Sequence, residues 1–173
     1  MKAEKNEKLE GTDKIKQGNK VELKAKCLLC LKREDEGIEQ LLECLKLKGK
    51  NLFAMMTLAE KMLEKSKLGI CFFLLLKAKY VLRMEGGKTS LWSHSKSRVD
   101  KKWEEMSCEL KKRREEKSCF LIEEKELEKL CKHPFFGNRL LSLDKIIEKE
   151  MRGESVDLMD EEEKVEGKDP MNL

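Results

Sequence analysis

The sequence predicts an all-α protein: an irregular helical bundle or array with one long charged helix and polar termini expected to be disordered. Three observations predict it. Charged residues make up 42% of the chain, with two prolines and ten glycines among 173 residues, which is the usage of long helices. Residues that favour strands, the β-branched and aromatic ones, are sparse, so a sheet has little to be built from. Apolar residues recur at three- and four-residue spacing along most of the chain and flank one strongly apolar run, LGICFFLLLKAKYVLRM, from Leu68 to Met84.

Residues 1–20 are polar, lysine-rich and without periodicity, and are expected to form a disordered basic arm. A helical array is expected over 21–87. Its first helix begins near Val21 and carries VELKAKCLLCLKRE, with Gly37 as the break. The second, GIEQLLECLKLKG, places Ile38, Leu41, Leu42 and Leu45 on one face and offers Gly49 as its C-terminal cap. Asn51 stands where it can cap the third, whose buried face would be Leu52, Met55, Met56, Ala59, Met62 and Leu63.

The fourth helix is the apolar run over 68–84, with Gly69 as the joint before it and Gly86-Gly87 as its stop. Leu68 to Leu76 is nine uncharged residues, roughly 14 Å of helix against about 30 Å of bilayer hydrocarbon. Lys77, Lys79 and Arg83 follow at once, so the run is expected to be a core helix and not a transmembrane segment. Short connections between these helices imply antiparallel neighbours.

Residues 88–97, KTSLWSHSKS, are expected to be a polar loop. From Arg98 to Lys132 the pattern reads as one continuous charged helix of about 35 residues. Its apolar stripe runs through Val99, Trp103, Met106 and Leu110, is interrupted by KKRREEK from Lys111 to Lys117, and resumes with Phe120, Leu121, Leu127 and Leu130. A helix that is apolar at both ends and charged in the middle reads as solvent-spanning or as a short coiled coil. His133-Pro134 stops it, Phe135 and Phe136 form an aromatic corner, and a last helix, RLLSLDKIIEKEM, completes the region 98–153. Residues 154–173 form an acidic tail expected to be disordered, with eight acids and two lysines, which leaves the rest of the chain near +10 against a total of +4.

Several classes of chemistry find no support in the sequence. There is no GxSxG, HExxH or glycine-rich phosphate loop, and the two histidines, His94 and His133, lie in a polar stretch and before a proline. The carboxylates sit beside lysines on charged faces, an arrangement that does not make a general acid. The chain is expected to be no enzyme, to need no cofactor and to take no small-molecule substrate. Seven cysteines, an odd number with no apolar leader ahead of them, point to reduced thiols and to the nucleus or cytoplasm. Cys27-Leu28-Leu29-Cys30 has the spacing of half a zinc site, and Cys131 with His133 could supply the rest. Without a second close pair, no metal is expected, and Cys27, Cys30 and Cys44 read as small hydrophobes on a buried face.

Two functional expectations remain. The first is a non-catalytic, intracellular interaction or scaffold protein that holds another protein, or a second copy of itself, through Val99, Trp103, Met106 and Leu110, with Leu121, Leu127 and Leu130 as a second patch. The second is a nuclear nucleic-acid-associated protein using the basic segment 96–117: Lys96, Arg98, Lys101, Lys102, Lys111, Lys112, Arg113 and Arg114. The stretch SHSKSRVDKKWEEM, Ser93 to Met106, faintly resembles the last helix of Myb/SANT-like and trihelix DNA-binding domains. That resemblance implies Trp103 in a core and Lys96, Arg98, Lys101 and Lys102 toward DNA. Those domains carry further tryptophans in their earlier helices, whereas the only other one here is Trp92, in the expected loop.

Overall fold

The computed structural model of the protein describes residues 2–85, 90–115 and 122–154, with side chains over 16–85, 92–113 and 122–154. Among these residues the fold is all-α and contains no strand. The helices are α1 (Lys2–Cys30), α2 (Glu34–Leu47), α3 (Leu52–Glu64), α4 (Leu68–Glu85), α5 (Ser90–Glu115), α6 (Glu124–Cys131) and α7 (Leu143–Met151), with a 3-10 helix at Gly137–Ser142 before α7. Each of the first four packs on its successor, and α7 returns to α4.

α1 is longer than the sequence reading expects. Helix occupies Lys2 onward in place of a disordered arm over 1–20, consistent with its many Lys and Glu residues and with Glu4–Lys8 and Glu10–Lys14 at i,i+4 spacing. The break that follows is not at Gly37. Lys32 takes the left-handed conformation at φ 61°, the Lys32 N–H donates to Leu29 O at 3.1 Å and the Arg33 N–H to Leu28 O at 2.9 Å. This is a Schellman close with lysine where glycine is usual. Gly37 lies inside α2 and serves close packing: a Cβ there would sit 2.7 Å from Leu29 Cδ2.

α2 ends at Leu47, and extended Lys48, not Gly49, caps it, donating to Cys44 O. Asn51 Oδ1 accepts the Ala54 N–H at 3.1 Å and starts α3. The α3–α4 joint is Ser66 at φ 60°, not Gly69, and it repeats the Schellman pattern, with Ser66 N–H on Leu63 O and Lys67 N–H on Met62 O. Gly69 falls within α4.

α4 is the centre of the core. Ile70, Cys71, Phe72, Phe73, Leu74, Leu75, Ala78, Val81 and Leu82 are all buried. A helix apolar on every side needs cover on every side, and α3, α5 and α7 supply it. No helix among the described residues is long and apolar enough to cross a membrane. Gly86-Gly87, the expected stop, lies outside the described residues.

Two expectations for the second half are corrected. Ser90–Ser97 is helix, the start of α5, and not loop. The continuous helix over 98–132 is also absent: Glu123 is extended, at φ −66° and ψ 145°, and a new helix, α6, starts at Glu124. A straight helix from Val99 to Leu130 would run about 46 Å at 1.5 Å per residue, far past the end of α4. Breaking it lets Leu130 turn back to the core, where Lys67 meets Glu126 at 2.8 Å. Phe135 and Phe136 then pack on Phe73, with ring centroids at 6.0 and 5.4 Å. The acidic tail over 155–173 lies outside the described residues.

Candidate functional site

The stripe expected to meet a partner is used within the chain. Val99, Met106 and Leu110 are buried, at 0%, 0% and 1% exposure, in the seam where α5 lies on α4. Trp103 stacks on Phe72 with centroids 5.1 Å apart, and the Lys79 ammonium lies 3.6 Å above the Trp103 ring. On α6, Leu130 is buried and Leu127 half-buried against the core. Leu121 lies outside the described residues. Val99, Met106 and Leu110 thus cover one side of α4 within the chain.

The basic segment is divided among several tasks. Arg98 binds Glu60 Oε1 through Nε at 2.8 Å and Nη2 at 2.7 Å. Lys102 pairs with Glu105 at 3.1 Å, and Arg113 donates to Ser66 O at 3.0 Å. Lys96, Lys101, Lys111 and Lys112 are exposed, but exposed Asp100, Glu104, Glu105 and Glu109 alternate with them. The side chain of Arg114 lies outside the described ones. What α5 presents is a mixed-charge surface and not a cationic rail for phosphates.

The zinc candidates do not converge: among the described residues there is no group of three or more His, Cys, Asp or Glu that could hold a metal ion. His133 Nδ1 accepts the Phe135 N–H at 3.1 Å, which leaves Nε2 to donate to Leu42 O at 2.8 Å, so neither nitrogen is open to a metal. Burial pushes the Cys44 thiol up to about 11 and that of Cys71 to about 12, and it raises that of Cys131 as well, so none of the three is poised as a nucleophile.

Cys27 and Cys30 are not on the buried face. They are exposed on the outer side of α1, where Leu23 and Leu31 are 63% and 67% exposed. Leu23, Cys27 and Cys30 recur at intervals of four and three, with Leu31 beside them, so they share one face. Exposed Lys16, Lys20 and Lys24 continue and flank it. The opposite face packs inward through buried Ala25, with Val21 and Leu29 alongside, and Leu28 is buried as well. The signal that could have revealed this face is the run Cys27–Leu31, five apolar residues in succession, which a helix must point to two sides.

Among the described residues the chain is thus an all-α array in which Val99, Met106 and Leu110 are covered and an apolar, lysine-flanked face of α1 is left open. No protein-family model, curated protein or solved structure matches the chain.

Proposed function

We propose that this chain is a non-catalytic interaction module, acting in the cytoplasm or nucleus, that binds an acidic amphipathic helix of a partner protein along the outer face of α1. The observation that carries the reading is the exposed pair Leu23 and Leu31 with Cys27 and Cys30 between them on one face. Burying an exposed leucine on association is worth about 2 kcal/mol each. Apolar anchors at such spacing are how a helix takes another helix. Lys16, Lys20 and Lys24 set the sign of the partner: leucine-bearing helices flanked by Asp or Glu are attracted, and basic ones are repelled. A second copy of α1 brings like charges together, which disfavours self-association through this face.

The test is fluorescence anisotropy of the full chain with two labelled synthetic helices of equal apolar pattern, one flanked by Glu and one by Lys. The Glu helix binds saturably and the Lys helix does not. Leu23→Glu with Leu31→Glu abolishes binding while the helical circular dichroism stays unchanged. Equal binding of both peptides, or retention of binding by the double variant, removes the reading.

A further inference from the structure

The two cysteines on the open face of α1 form a pair. Cys27 and Cys30 are three residues apart in the last turn of the helix, and both are exposed free thiols, so they project to one side of it. We infer that Cys27 and Cys30 hold one copper(I) ion between their sulfurs on the outer side of α1. The site shares the face proposed above for a partner helix and does not rest on that reading.

Spacing is the first argument. Residues three apart in a helix stand about 5 to 6 Å from Cβ to Cβ, whereas a disulfide needs about 3.8 Å. The turn resists closing that difference. The Leu31 N–H donates to Cys27 O at 3.0 Å, and beyond it the Arg33 N–H donates to Leu28 O at 2.9 Å. Leu28, between the two cysteines, is buried, and Leu29 packs on the core. The two thiols are thereby kept one turn apart, too far for a direct bond and close enough for a single ion to bridge.

Donor number is the second. Structural zinc takes four ligands, and among the described residues no group of three or more His, Cys, Asp or Glu could hold a metal ion. Cys44 and Cys71 are buried, Cys131 is partly buried, and exposed Cys108 lies on α5; Cys119 lies outside the described residues. A pair of sulfurs suits a soft cation satisfied by two thiolates in line, and copper(I) is the first-row ion that thiolates select. Cu+ displaces one proton from each thiol, both protons pass to solvent, and a bis-thiolate complex with one net negative charge remains. The positions three and four residues from Cys27 are Leu23, Lys24, Cys30 and Leu31, none of them acidic, and the two leucines border the metal with apolar surface.

The reduced full chain is titrated under argon against the coloured copper(I) complex of bicinchoninate, whose fading reads transfer of the ion to the protein. One equivalent is captured per chain, and light scattering returns the mass of a single chain. Cys27→Ser and Cys30→Ser each weaken capture about a hundredfold or more, because a chelate that loses one arm loses its effective concentration, while the helical circular dichroism stays unchanged. Cys108→Ser combined with Cys119→Ser captures the ion as the parent does. Zinc(II), competed against a coloured zinc indicator, stays with the indicator. No transfer, full capture by either single variant, loss of capture in the Cys108→Ser, Cys119→Ser variant, uptake of zinc with equal affinity, or one ion shared by two chains overturns the inference.

Discussion

His133 and Leu42, 91 positions apart, are joined by a 2.8 Å hydrogen bond from the imidazole Nε2 to the α2 carbonyl oxygen. The same ring accepts the Phe135 N–H at Nδ1, so one side chain ties the aromatic corner to the N-terminal half of the molecule.

His133→Ala removes both partners at once. A lost buried hydrogen bond costs about 1 to 3 kcal/mol when the partner is left unsatisfied. Urea unfolding followed by circular dichroism should show a loss in that range. An unchanged midpoint would mean that the corner is held by Phe135 and Phe136 alone.

Lys32 and Ser66 occupy left-handed positions at φ 61° and 60°. Glycine is at home there, and each residue pays a steric cost of about 1 kcal/mol. Lys32→Gly and Ser66→Gly should each raise stability by about 0.5 to 1 kcal/mol, and the two gains should add because the turns are separate. The same substitution at Gln40 in the middle of α2, where no left-handed turn is needed, should lower stability by a comparable amount.

Lys77 is buried in α4, and burial, followed by the Arg139 guanidinium, lowers its pKa to about 7. Its folded pKa lies below the ordinary 10.5, so above pH 7 the unfolded chain binds more protons and stability rises with pH. Cys44 and Cys71 act in the opposite direction above their ordinary value of 9.0, because their folded thiols hold protons that the unfolded chain releases. Unfolding free energy should therefore climb by about 2 kcal/mol between pH 7 and 9 and then flatten or fall. Lys77→Met should remove most of the climb, leaving the part due to Lys79, whose pKa burial also lowers, and the alkaline decline, as denaturation at a series of pH values would show.

Met106 and Leu23 make a paired test of which stripe is covered. Met106→Ala opens a hole in the seam between α4 and α5 and should cost about 3 kcal/mol. Leu23→Ala, on the open face of α1, should stay within about 0.5 kcal/mol of the parent. Reversed magnitudes in thermal melts would exchange the roles assigned to the two faces.

The helical class and the apolar centre were legible because Leu68–Leu76 has no polar side to offer and must be wrapped. The positions of the joints were not. Glycine is the residue expected in a left-handed turn, yet the chain places Lys32 and Ser66 there and spends Gly37 on contact with Leu29. Helix–helix packing outweighed local preference at those points. The stripe over Val99–Leu110 was also legible as apolar, but spacing alone does not say whether its cover comes from the same chain. Leu23 and Leu31 were missed for the converse reason: in a run apolar on two sides, the pattern does not mark which side is left open.

The break at Glu123 carries a consequence for the order in which the protein forms. α1 through α5 each meet their neighbours in the chain, so their pairing closes short loops and is fast. The segment after the break must travel back to Leu42, Lys67 and Phe73 before its contacts are rewarded. It is therefore the last part to dock, and mutations in it should leave the refolding rate nearly unchanged while speeding unfolding.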